Sequence, residues 1–189
     1  KTWTGGDVAI PDSSLPAADW PTTRVAVSAL NATVARVRTL SVVEPDPGAT
    51  NSEPNTPFDR FNLRKIVNIT VPSGATTATV TFQVASGAPT ITPISGPATG
   101  VVASAMALSE SQLADVTGVT VEFQGNIDAN ASTVVTLDLR LREYLRGTTT
   151  KVASAKLTNQ ASGKVTDPRY EADGTTLKND SLTDNSKAE

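Results

Sequence analysis

Apolar residues recur at every second position through long stretches of this chain, and that period decides what it can fold into. In Arg24-Val25-Ala26-Val27-Ser28-Ala29-Leu30 the alternation is continuous, and over residues 131–142 Val135, Leu137, Leu139 and Leu141 alternate with polar neighbours. A period of two puts one set of side chains on one face of an extended strand, so such segments bury that face against another layer. Residues 34–42, 66–71, 78–84 and 119–123 read the same way, and 151–164 and 176–189 are the last strand candidates. Thr and Val, abundant throughout, favour the pleated conformation.

Turn chemistry divides these strands. The stretch 44–57 carries Pro45, Pro47, Pro54 and Pro57 together with Asn51 and Asn55, which marks a surface loop, and 89–100 is a second Pro/Gly/Thr loop. Pro72-Ser73-Gly74 is a turn between two strand patterns. Ser109-Glu110-Ser111-Gln112 has the spacing of a capping box, which predicts one short helical turn near 110–116. Strands recurring at intervals of about ten residues predict an all-β fold, an antiparallel β-sandwich rather than a barrel. No internal repeat is visible, so residues 1–189 are expected to form a single domain. The chain opens on Lys1 without Met and stops inside a strand pattern, as a domain excised from a longer multidomain protein would.

Composition narrows the function. The chain contains neither Cys nor His, and aromatic residues make up 4% of it. Most nucleophilic, acid–base and metal-site chemistry relies on one of the two missing residue types, which argues against an ordinary enzyme and against a cofactor or a bound transition metal. A formal charge of -3, with no run of Lys or Arg, gives no footprint for nucleic acid or for anionic lipid. No segment reaches the roughly 18 consecutive apolar residues of a membrane span. Acidic and Asn-rich clusters (Glu44 with Asp46, Asn51 with Glu53, Asp173 with Asn179, Asp180 and Asp184) offer oxygen ligands for calcium, but none has EF-hand spacing. Four Asn-x-Ser/Thr triplets begin at Asn31, Asn68, Asn130 and Asn179. Trp3, Trp20, Tyr144 and Tyr170 are the residues able to stack broadly on sugar rings, although scattered aromatics of this kind usually plug the core.

The order of landmarks carries a resemblance. Lys1-Thr2-Trp3-Thr4 opens the chain; Val42-Val43-Glu44-Pro45-Asp46-Pro47, Phe58-Asp59-Arg60-Phe61 and Val71-Pro72-Ser73-Gly74-Ala75 follow. Then come Leu113-Ala114-Asp115-Val116-Thr117-Gly118-Val119, Leu139-Arg140-Leu141-Arg142 and, late in the chain, Leu157-Thr158-Asn159-Gln160-Ala161-Ser162. Together these resemble the immunoglobulin-like repeats of cell-wall-anchored surface adhesins and fimbrial proteins of Gram-positive, high-GC bacteria, a group related to isopeptide-forming modules. The resemblance implies an immunoglobulin-like sandwich acting as an extracellular stalk or spacer. Such a module is a monomer whose partners are the neighbouring domains of its own chain and, at a tip, a host or matrix ligand.

The resemblance also implies one piece of chemistry, a bond between a Lys near the first strand and an Asn on a late strand, promoted by a buried acid. By position these are Lys1, Asn159 and Glu44, with Asn185 as the alternative partner in Thr183-Asp184-Asn185-Ser186. Burial among apolar side chains deprotonates a Lys amine and makes it nucleophilic, and keeps a carboxylic acid protonated so that it polarises the carboxamide as ammonia leaves. No His is needed. Closing a loop of roughly 160 residues would contribute on the order of 5 kcal/mol by restricting the unfolded chain. A different class of reading is a glycan- or host-protein-binding sandwich that uses the long loops 44–57 and 85–100. A third, a viral capsid or fibre domain, predicts a stable trimer.

Overall fold

The computed structural model describes residues 2–3, 8–10, 15–16, 19–46, 56–88, 90–94, 101–102, 108–154, 161–170 and 177–188. Within them the alternating segments form strands β1 (Thr2–Trp3), β2 (Thr22–Leu30), β3 (Val37–Glu44), β4 (Phe61–Thr70), β5 (Ala75–Val84), β6 (Thr90–Ile94) and β7 (Val101–Val102). They continue as β8 (Val116–Ile127), β9 (Ser132–Leu141), β10 (Ala161–Tyr170) and β11 (Leu177–Ala188), with two short helices, α1 (Pro57–Arg60) and α2 (Glu110–Asp115). One sheet has the order β1-β2-β9-β4-β7 and the other β11-β10-β3-β8-β5-β6. Every pairing is antiparallel. The fold is an all-β sandwich with a short helical turn, as the period-two pattern predicts.

The core lies between the sheets and is built from the alternating residues. Val25 and Val27 of β2, and Val135, Leu137, Leu139 and Leu141 of β9, face Leu40 and Val42 of β3, Val80 and Phe82 of β5, and Val119, Val121 and Phe123 of β8, all buried. Three phenylalanines, Phe58, Phe82 and Phe123, are the largest of the fully buried side chains. Strand β4 departs from strict alternation. Its buried residues Leu63, Ile66 and Ile69 are three apart because the register against β9 shifts between Leu63 and Lys65 and again between Ile66 and Asn68. Each shift adds a residue to one strand and carries the next apolar side chain back to the core face.

The capping box at Ser109 and Gln112 is formed as its spacing predicts. Ser109 Oγ accepts from Gln112 N at 3.3 Å, the Gln112 side chain returns to Ser109 N at 2.9 Å, and α2 follows. Other expectations need correction. Strand β3 begins at Val37 rather than at 34, because Asn31 holds the preceding residues in a bend and leaves Val34 fully exposed. The expected strand at 151–164 begins at Ala161, and Lys151 makes an isolated bridge with Tyr144 instead. The loop expected over 85–100 contains β6, which adds to the edge of the six-stranded sheet beside β5. The loop expected over 44–57 is shorter at both ends. Glu44 is the last residue of β3, and Pro57 starts α1, where a proline fits because the first helical N–H has no intrahelical acceptor.

Candidate functional site

Glu44 is 2% exposed. Its burial follows from strand parity: Leu40, Val42 and Glu44 share the inward face of β3, so an acid stands where the pattern calls for a hydrophobe. Its partner across the ladder is Val119 of β8. Beside it, Gly118 lets the two chains close up, since a Cβ there would lie 3.2 Å from Glu44 O and 3.3 Å from Pro45 Cδ. Asp46, two residues on, is also buried, at 6% exposed. A carboxyl group kept from water is costly to bury unless it is hydrogen-bonded or paired, and in such a position its chemistry is the first thing to ask about.

On the other side of β3, β10 enters the sheet with Ser162 opposite Val43 and Gly163 opposite Val42. Ala161, buried at 4% exposed, therefore starts the strand at the level of Glu44. Lys1 and Asn159 lie outside the described residues, which begin at Thr2, next to Lys1, and resume at Ala161, two residues after Asn159. Asn185 lies on β11 opposite Lys164, which in turn pairs with Ser41, three residues along β3 from Glu44. Thr2 pairs with Ala26 in the other sheet. Strand β2 packs across the interior against β3 and β10, so the outermost strands β1 and β11 occupy the same flank of the sandwich.

The chain after β9 builds a second feature. Residues 144–151 fold back as a turn closed by Leu145 N to Thr150 O at 2.9 Å, with Gly147 at φ +70°. This turn presents Arg146 to the ends of both short helices. Its Nε donates to Phe58 O at 2.9 Å, Nη1 to Ala114 O at 2.9 Å and Nη2 to Val116 O at 3.0 Å, while its backbone N–H donates to Asp59 O at 2.9 Å. One planar cation thus satisfies carbonyls left over where α1 and α2 stop. Burial, and then the neighbouring charge of Arg142, pull the Arg146 pKa below its usual value, against Asp115 and Asp59. Arg142 is lowered too, chiefly by burial.

Beside this clamp is an open cleft of about 510 Å³ lined by Arg140, Arg142, Arg146, Trp20, Tyr144 and Asn62, among others. Arg142 donates to Asn62 Oδ1 and, at 3.2 Å, to Tyr144 O. Two carboxylates also line the cleft, Asp115, which accepts from Ser86, and Glu143, which pairs with Lys151 at 3.6 Å; nearby Asp59 accepts from Thr56. Sequence reasoning did not single out these arginines as a site. The available signal was Leu139-Arg140-Leu141-Arg142, which puts two cations on alternate positions at a strand end, with Arg146 four residues beyond.

Among the described residues no three acidic side chains gather as a metal site, and no helix is long and apolar enough to cross a membrane. The calcium candidates at 51–53 and Asp173 lie outside the described residues. Asn31, the first of the four glycosylation triplets, is fully buried, with its amide nitrogen donating to Ala35 O and Asp128 O, and cannot take a glycan. No family model matches the sequence, and no curated protein or solved structure is recognisably similar to it.

Proposed function

We propose that this chain is a structural stalk module of a bacterial surface adhesin or fimbrial protein, stabilised by an intramolecular isopeptide bond between Lys1 and Asn159 and promoted by Glu44. The observation that carries this reading is the Glu44 carboxyl group, 2% exposed on the inward face of β3. The strand that follows Asn159 begins at its level. In the reaction the neutral Lys1 amine attacks Cγ of Asn159. Glu44 in its acid form donates a hydrogen bond to the carboxamide oxygen and relays a proton to the departing nitrogen. One C–N bond forms, one breaks, and ammonia leaves. No oxidant, metal or His takes part. The bond would join the five-stranded sheet to the six-stranded one, so tension along the chain would load a covalent link before it loaded the hydrogen-bonded ladders.

Intact mass under denaturing conditions tests the proposal. The expected result is a deficit of one ammonia, about 17 Da, against the sequence mass. The deficit should disappear in Glu44→Gln, and peptide mapping should join Lys1 to Asn159 rather than to Asn185. A mass equal to the sequence sum would remove the crosslink and favour the alternative of a ligand-binding sandwich that works through its loops.

A further inference from the structure

We infer that the arginine-lined cleft at the end of β9 is a binding site for a carboxylated sugar, a function separate from the crosslink at Glu44. The cleft's volume of about 510 Å³ falls within the range of small-ligand sites, about 300–1,000 Å³. Three arginines line it, Arg140, Arg142 and Arg146. Two of them are committed to the fold, Arg146 to three backbone carbonyls and Arg142 to Asn62 and Tyr144 O.

Arg140 is different. It sits on β9 between Thr22 of β2 and Asn62 of β4. Its Nε is buried and, among the described residues, has no hydrogen-bond partner. A buried donor without an acceptor is rare and asks for an explanation. That nitrogen is itself closed to solvent, so an incoming carboxylate would be met by the terminal nitrogens of the guanidinium, whose planar fork it matches.

The electrostatics of the cleft point the same way. Three arginines line the cleft against two carboxylates, Asp115, which accepts from Ser86, and Glu143, which pairs with Lys151; burial, and then the charge of Arg142, lower the proton affinity of Arg146. The incoming negative charge would therefore meet an excess of cation. The rest of the lining selects the body of the ligand. Tyr144, 39% exposed, offers a ring face, and Leu15, 45% exposed, adds apolar surface, while Trp20 is 6% exposed with its Nε1 donating to Leu15 O and forms part of the wall. A ring face beside a carboxylate site suits a pyranose that carries its acid on the ring, as a uronic acid does.

Titration of the ¹⁵N-labelled protein with a glucuronic-acid-containing hexasaccharide of hyaluronan, followed by NMR, tests the inference. The expected result is saturable shifts at residues 140–146 and Trp20. Affinity should fall at least tenfold in Arg140→Ala and for the methyl-esterified oligosaccharide, and Arg140→Lys should recover only part of it. Tyr144→Ala should weaken the oligosaccharide but leave binding of free acetate unchanged. Thermal melting checks that the Arg140 variants remain folded, which is expected because Arg140 Nε has no hydrogen-bond partner among the described residues. No shifts up to millimolar ligand, equal binding of acid and ester, or shifts elsewhere on the sandwich would overturn the assignment. Equal binding of a tetraglutamate peptide, insensitive to Tyr144→Ala, would overturn the sugar class. Because Glu44 lies outside the cleft, Glu44→Gln separates this site from the crosslink: it should abolish the mass deficit and leave titration unchanged.

Discussion

Asn31 shows how much a single buried amide can organise. It is fully buried, and its Nδ2 donates at 2.9 Å to both Ala35 O and Asp128 O, while its Oδ1 accepts from Thr33 N and Thr33 Oγ1. Its backbone carbonyl accepts from Asn130, the non-glycine residue at φ +61°, so one residue ties the β2–β3 connection to the β8–β9 turn. Asp128 reinforces the same corner; its bonds from Ser73 and then Arg36 hold its carboxyl below the usual carboxylate range. Replacing Asn31 by Ala removes the donor shared by Asp128 O and the buried Ile127 O and the acceptor of Thr33 N, while Ala35 O keeps its bond from Thr33 Oγ1. Asn31→Ala is expected to destabilise the protein by about 3 kcal/mol, read as a lower urea midpoint with an unchanged slope. A loss under about 0.5 kcal/mol, the level of an ordinary surface change, would mean the corner is held by other contacts. Glu44 is the other residue whose chemistry exceeds its packing role: a hydrophobe would fill the position, and the acid there is what motivates the crosslink.

Among the elements, the β4–β5 connection depends on close backbone approach. Gly74 has φ +84°, and a Cβ on it would stand 2.0 Å from Asn126 O, on the strand end that also donates Asn126 N to Gly74 O at 3.0 Å. Gly87 has a similar φ of +96° with nothing within 4 Å of the added carbon. The two positions therefore separate backbone strain from collision. Gly87→Ala is expected to cost about 1 kcal/mol. Gly74→Ala is expected to cost about 3 kcal/mol or more, because the clash is with backbone that cannot swing aside. Melting temperatures of the two variants check this, and equal losses would sink the distinction. The sequence marks Pro72-Ser73-Gly74 as a turn but does not show what faces it. The same holds for β4, whose Leu63, Ile66 and Ile69 spacing makes sense only with the register shifts against β9. It also holds for α1, whose Thr56, Pro57 and Asp59 form a complete start signal inside what reads as a loop.

At the scale of the molecule, apart from the β1–β2, β5–β6 and β10–β11 neighbours, successive strands cross between the sheets, so most pairings are distant in sequence. Val25 of β2 pairs with Leu137 of β9, and Leu40 of β3 with Phe123 of β8. Strands β8 and β9 have a neighbour on each side and carry much of the core, so they unfold only with the whole domain. Native-state hydrogen exchange should therefore find the slowest amides at 119–123 and 134–139, with β6 and β7 at the sheet edges opening first. Protection of β6 equal to that of β8 would argue against this ranking. The sequence by itself determined the class of the fold, because a period of two admits few structures besides strands buried on one face. It also determined the helical turn at 110–115, because a capping box is a local bond between residues three apart. Tertiary structure decided which strands pair, that Glu44 closes β3 inside the core rather than opening a surface loop, and that Arg140, Arg142 and Arg146 meet in one cleft. Those outcomes depend on contacts between residues far apart in the chain, and no local pattern encodes which distant face a side chain will meet.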